Sequence, residues 1–307
     1  MNWIHNIWIS FIDFYNVGDL MFGKIITAVV TPFDENKNID FESFKKLLKH
    51  IANTHSDSVV VGGTTGEGST LTINEKINLF NFAKQNLPKH IKVIAAIGTN
   101  NTSETIKQVK KINKLNVDGY LIITPYYNKP SQEGIYQHFK AIDNISIKPI
   151  LIYNVFSRCG VEATSQTLIR LYHDCNHIVG LKHCSSNISL IASLKKEMPD
   201  FLVYGGEDHY ILDVLKNNGD GIISVITNYF GNDVYELVKD FKNGFENITL
   251  YEYIQMIAEI AFIESSPSPI KYILHKNNLI LNQLRLPLVP LSSPFKQLID
   301  NIFTYEK

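Results

Sequence analysis

Lys182 closes the apolar run Ile178-Val179-Gly180-Leu181. A lysine at the end of such a run is ordinarily a surface group whose stem covers apolar area while its ammonium stays in water. Seated among hydrophobic walls it behaves differently: desolvation disfavours the ammonium, the pKa falls from about 10.4, and the free amine can attack a carbonyl to form an imine. Imine chemistry needs a proton shuttle, because water must leave the carbinolamine and protons must move on and off the substrate carbons. Tyr153 is suited to that role, and Thr64 and Tyr127 offer hydroxyls for a relay, since a phenol of pKa about 10 works poorly alone near neutrality. Taken singly, each tyrosine also fits simple packing.

Two anion sites can be read beside the amine. The segment Gly62-Gly63-Thr64-Thr65-Gly66-Glu67-Gly68 has neither a Gly-Lys-Ser/Thr ending nor the G-x-G-x-x-G order of nucleotide cradles. Its N–H groups and the Thr65 hydroxyl make a smaller site, sized for a keto acid. Arg158 would take a second carboxylate in the fork of its guanidinium, a surface salt bridge being the plainer use of the same residue. His138, His173 and His183 lie apart with no H-E-x-x-H spacing, so chemistry without a metal is expected, a covalent amine replacing the Lewis acid.

Only a fold can gather residues so scattered. Short β-branched runs begin near Ile25, Ser58, Ile91, Gly119, Pro149, Ile178, Phe201 and Gly221, and between them lie stretches of helical period with start signals such as Asp40, Asn74, Ser103 and Ser131. Eight strand-helix units in about 225 residues predict a (β/α)8 TIM barrel, whose reactive residues sit at the carboxyl ends of strands. The glycine-rich segment, Thr124-Pro125-Tyr126-Tyr127-Asn128, Tyr153 to Arg158, and Lys182-His183 all fall at such ends. A doubly wound sheet fits less well, because the first strand leads into Thr31-Pro32-Phe33 instead of a glycine fingerprint.

The expected organisation is an N-terminal extension over residues 1–20, a catalytic barrel over 21–244 and a C-terminal helical region over 245–307. Helices are predicted there near 247–264, 269–277 and 294–303, with few titratable groups beyond surface lysines and acids. The extension holds both tryptophans and no Lys or Arg, which reads as an upstream start ahead of Met21 or as a docking segment.

Composition narrows the partners. Lys+Arg of 29 against Asp+Glu of 30, with no block of like charge, argues against a nucleic-acid arm. No apolar run reaches the roughly 18 residues of a membrane span, and the 3 cysteines, odd in number and without C-x-x-C spacing, read as reduced thiols of a cytoplasmic protein.

From Met21 onward the chain resembles the 4-hydroxy-tetrahydrodipicolinate synthase family (dihydrodipicolinate synthases) of the class I pyruvate-dependent aldolases. The resemblance is carried by Val30-Thr31-Pro32-Phe33, Gly63-Thr64-Thr65-Gly66-Glu67, Thr124 to Pro130, Tyr153-Asn154-Val155 with Ser157-Arg158, Gly180-Leu181-Lys182 and Gly221-Ile222-Ile223-Ser224. It implies condensation of pyruvate with L-aspartate 4-semialdehyde on the way to diaminopimelate and lysine, with no cofactor beyond the imine on Lys182. By resemblance Tyr153 moves protons, Thr64 and Tyr127 complete the relay, and the Tyr127 position is supplied across a dimer interface. Thr65 and the Ile223 backbone would hold pyruvate, and Arg158 the semialdehyde carboxylate. Homotetramers built as dimers of dimers are common in the family.

Lysine-sensitive members bind lysine at positions matched by Asn100, Glu104 and Tyr126. Lys76 stands where they carry histidine, and its positive charge would repel the ligand's ammonium, so weak or absent feedback is expected. Phe156 stands where the family usually has proline, and His183 where an acid is common, which bears on turnover. Aldolases of 2-keto-3-deoxy sugar acids and N-acetylneuraminate lyase share the lysine, but the pair Tyr127 and Arg158 favours the synthase. The alternative from another class is a catalytically silent barrel kept as a binding partner.

Overall fold

The computed structural model describes residues 21–303, so the extension read over residues 1–20 lies outside the described residues. Eight parallel strands, β1 (Ile25–Ala28), β2 (Ser58–Val61), β3 (Lys92–Ile97), β4 (Gly119–Ile123), β5 (Ile150–Asn154), β6 (Ile178–His183), β7 (Leu202–Gly205) and β8 (Gly221–Ser224), form a closed barrel in sequence order. Helices α1 (Phe41–Asn53), α2 (Ile73–Asn86), α3 (Thr102–Ile112), α4 (Gln132–Asp143), α5 (Phe156–Cys159), α6 (Ser165–Asp174), α7 (Ser189–Glu197), α8 (Ile211–Lys216) and α9 (Gly231–Lys242) follow the strands. After them come α10 (Ile248–Ala261), α11 (Ser268–Lys276) and α12 (Ser293–Ile302).

The strands are continuous apolar runs because both of their faces are buried. One face meets the helices; the other fills the barrel with Ile26, Val60, Ile94, Leu121, Leu151, Tyr153, Tyr204 and Ile223. Asp40 and Ser131 cap α1 and α4 as the sequence predicts. The helices expected to start at Asn74 and Ser103 are capped two residues earlier, by Thr72 and Asn101. At Thr72 the reason is a capping box with Glu75, which satisfies two donors that Asn74 could not reach.

The amino ends of the strands are tied by buried or half-buried carboxylates. Asp57 accepts from the N–H groups of Lys24 (2.7 Å) and Ile25 (2.9 Å), Asp118 from Val93 (2.7 Å), Asp143 from His177 (2.7 Å) and Asp220 from Val203 (2.7 Å). Each satisfies backbone donors at a strand entry that has no ladder partner. The opposite rim is left to the loops.

Candidate active site

Lys182 reaches its neighbours through an irregularity in β6. Ile150 pairs with Ile178, but Leu151 pairs with Gly180, so one extra residue, Val179, is taken up between them. A one-residue slip exchanges the faces of a strand. The bulge thereby brings Lys182 opposite Tyr153 on β5 and Tyr204 on β7, with all three side chains on the barrel's inner face. The Lys182 ammonium lies 4.7 Å from the centre of the Tyr153 ring. His183, one residue on, faces the other way, its Nε2–H donating to the Asn187 carbonyl at 3.0 Å.

Lys182 is 6% exposed and Tyr153 8%. Burial pulls the Lys182 ammonium down, the ionisable neighbours Cys184, Tyr153, Glu207 and Asp208 push it up, and the balance lies above the ordinary lysine value. The expectation that burial alone frees the amine is thus reversed. Burial also pushes the Cys184 thiol up to about 11 and raises the Tyr153 phenol, and it raises the Glu207 and Asp208 carboxyls near the lysine as well. Surroundings that favour an ammonium also favour a protonated imine, which carries the same charge at the same place.

Thr64 and Cys184 stand close enough to Tyr153 to influence its phenol, so a hydroxyl and a thiol neighbour the amine. The carbonyl of Tyr153 accepts from the Thr124 hydroxyl at 3.0 Å, which fixes the end of β5. Thr65 is 5% exposed. Ile223 is buried in the barrel interior. Gly206 packs where nothing larger fits: a Cβ there would stand 2.1 Å from the Cys184 sulfur and 2.7 Å from Cε of Lys182.

A cleft of about 540 Å³ opens over this centre, lined in part by Thr64, Tyr153, Arg158, Tyr126 and Lys76. Arg158 is exposed on its rim, close enough to lower the pKa values of Tyr153 and Cys184 by its charge. It sits on α5, a single helical turn opened by Phe156. The start of a helix is a place proline also fits, so Phe156 leaves the route from Tyr153 to Arg158 intact. Tyr127 is not brought to the amine within one chain. It holds a left-handed φ of 73° and its side chain stands 88% exposed beyond β4.

Lys76 and Tyr126 line the same cleft, and burial lowers the Lys76 ammonium to about 8. Asn100 and Glu104 are not among the residues that line the cleft: the Asn100 carbonyl accepts from Asn128 at 3.0 Å and Glu104 pairs with Lys107 at 3.4 Å. Sequence reading missed Cys184, Glu207 and Asp208. Asp208 accepts from the N–H groups of Val225 (3.0 Å) and Ile226 (3.3 Å), tying the loop after β7 to the end of β8, while its other oxygen has no hydrogen-bond partner among the described residues. The signal was available, for Gly205-Gly206-Glu207-Asp208 is another strand end of the kind that carries barrel chemistry.

A closed parallel barrel with a buried amine and a phenol at adjacent strand ends is the architecture of a lyase of the class I aldolase type. The chain belongs to the Dihydrodipicolinate synthetase family, which it matches over residues 21–305. It is 39% identical to the 4-hydroxy-tetrahydrodipicolinate synthase of Bacillus subtilis over 88% of this chain and 94% of that one. Among solved structures, a dihydrodipicolinate synthase of Bacillus anthracis is 36% identical with a TM-score of 0.89, covering 92% of this chain and 97% of the other. The Acinetobacter baumannii dihydrodipicolinate synthase, solved in complex with pyruvate, is 34% identical with a TM-score of 0.87, covering 91% and 97%.

Proposed function

We propose that this enzyme condenses pyruvate with L-aspartate 4-semialdehyde to give 4-hydroxy-tetrahydrodipicolinate, through an imine on Lys182. The observation that carries the reading is the pairing of Lys182 with Tyr153 across β5 and β6, deep in a barrel and beneath a cleft rimmed by Arg158. Family membership supports the same substrates.

The chemistry follows from the geometry. A proton passes from the Lys182 ammonium to the relay, and the amine attacks the ketone carbon. Tyr153, backed by Thr64, protonates the carbinolamine oxygen, which leaves as water. Loss of a methyl proton from the iminium gives an enamine, whose carbon attacks the aldehyde. The semialdehyde's own amino group then adds to the imine carbon, closing the ring and releasing Lys182. Thr65 and the Ile223 backbone hold the pyruvate carboxylate, and Arg158 the semialdehyde carboxylate. No cofactor takes part beyond the imine.

Tyr127, exposed on one chain, completes the relay of a second copy, in a homotetramer built as a dimer of dimers in the cytoplasm. Residues 21–244 act as the catalytic barrel, and the region from 245 onward, described to residue 303, is a helical region packed on it. Asn100, Glu104, Tyr126 and Lys76 form a regulatory site that responds weakly to lysine. Among the described residues no helix is long and apolar enough to cross a membrane.

The test is reduction with borohydride in the presence of pyruvate, run beside a coupled assay with both substrates. Wild type gains one pyruvyl adduct at Lys182 and Lys182→Ala gains none; Arg158→Ala keeps the adduct and loses affinity for the semialdehyde. Wild type without an adduct would be a silent barrel, and turnover of a 2-keto-3-deoxy sugar acid in place of the semialdehyde would make it a different aldolase.

A further inference from the structure

We propose that Lys271, on α11 in the C-terminal region, is a positioning residue for the keto-acid carboxylate, acting through Glu67 of the glycine-rich loop. The proposal rests on the reading of that loop as the pyruvate cradle. The C-terminal region was expected to offer few titratable groups beyond surface lysines and acids, yet Lys271 is 0% exposed and pairs with Glu67, itself 1% exposed.

The pair is built into both segments. Besides Glu67, Lys271 donates to the Gln283 carbonyl at 2.8 Å, and the second oxygen of Glu67 accepts from the Arg285 N–H at 2.9 Å. The carboxylate is thus held from two directions by residues that follow the barrel. The centre of the Phe33 ring lies 4.4 Å from the Lys271 ammonium and 4.6 Å from the Arg285 guanidinium carbon. Thr31, two residues before Phe33, donates through its hydroxyl to the Gly66 carbonyl at 2.7 Å. Three segments distant in sequence therefore close on one turn.

That turn is the cradle. The Glu67 N–H bonds the Thr64 carbonyl at 3.0 Å, and the Gly68 N–H bonds the Gly63 carbonyl at 2.9 Å. Glu67 holds a left-handed φ of 53°, which a non-glycine residue adopts only where its surroundings compel it. A Cβ on Gly68 would stand 2.0 Å from the Gly62 carbonyl oxygen, so the loop has no slack to absorb a shift of Glu67. The inner of these bonds encloses Thr65 and Gly66, and the outer one encloses Thr64 to Glu67, so Thr64 and Thr65 both lie within the loop. Pulling on Glu67 moves the hydroxyl that serves Tyr153 and the one that faces the carboxylate together.

A buried ion pair is weak evidence for stability, because desolvation offsets most of the attraction and an apolar pair of similar volume often serves as well. Its use here is geometric. Lys271→Met leaves Glu67 buried and unpaired; Glu67→Gln with Lys271→Met removes both charges while keeping similar volumes.

The experiment is the rate of borohydride-trapped adduct against pyruvate concentration, with thermal unfolding of each full-length variant. Lys271→Met should unfold several degrees lower, and the double variant should recover most of that loss. Both should need about tenfold more pyruvate for half-saturation, with the rate at saturation within about threefold of wild type. If Lys271→Met does not fold, the double variant carries the test. A wild-type adduct together with wild-type half-saturation in the double variant overturns this proposal alone. Absence of any wild-type adduct overturns the reading of the site and this proposal with it.

Discussion

Gly206→Ala is the sharpest probe of how tightly the amine is seated. The added methyl would lie 2.1 Å from the Cys184 sulfur and 2.7 Å from Cε of Lys182, where packed carbons keep about 3.5–4.0 Å. The lysine stem must therefore retreat by roughly 1 Å, and the sulfur by more. Overpacking of this kind destabilises by about 1–3 kcal/mol, while a 1 Å misplacement of a reacting group costs on the order of 10²-fold in rate. Adduct formation with pyruvate should slow by about 10²-fold even where thermal unfolding shows the protein fully folded. Adding Cys184→Ala opens the space the methyl needs on one side and should recover part of the rate. A Gly206→Ala protein that traps pyruvate at the wild-type rate would show that Lys182 reacts from a position other than the one described.

Tyr127→Phe should keep the adduct but slow turnover by about 10²-fold, as for loss of an acid-base partner. Mixing it with Lys182→Ala after dissociation and reassembly should restore activity, since one mixed site then has both groups; no restoration would place Tyr127 outside the relay. Burial holds His138 down at about 4, with its Nε2 unpartnered. Below the unfolded value near 6.5 only the unfolded chain takes up this proton, so stability falls as pH drops from 6.5 towards 4, by roughly 3 kcal/mol at most. Denaturant titrations at pH 5 and 7.5 should show that fall, and His138→Asn should flatten it. Submillimolar L-lysine should leave the purified enzyme nearly uninhibited at pH 7, where Lys76 is mostly charged; strong inhibition there would remove the charge-repulsion account.

The strand starts were legible to within a residue because a strand buried on both faces must be a continuous apolar run, and Lys182 announced itself by ending one. The bulge at Val179 was not legible, since nothing in Ile178-Val179-Gly180 distinguishes it from regular strand, yet it decides that Lys182 meets Tyr153. The direction of the Lys182 shift was also misread. Burial was visible in the pattern, but the ionisable neighbours that offset it, Cys184 and Tyr153 before Glu207 and Asp208, are gathered only by the closed barrel. Glu67 and Lys271 lie 204 positions apart and meet only through the closed topology, so local pattern could not pair them.

The carboxylates at the strand entries divide labour across the barrel. Asp57, Asp118, Asp143 and Asp220 lash one end shut using main-chain amides, whose chemistry does not depend on which side chains the neighbouring strand carries. A hull fastened this way tolerates rebuilding of its upper deck. Descendants of such a chain can acquire new substrates by exchanging loops at one mouth, with the seams at the other left untouched.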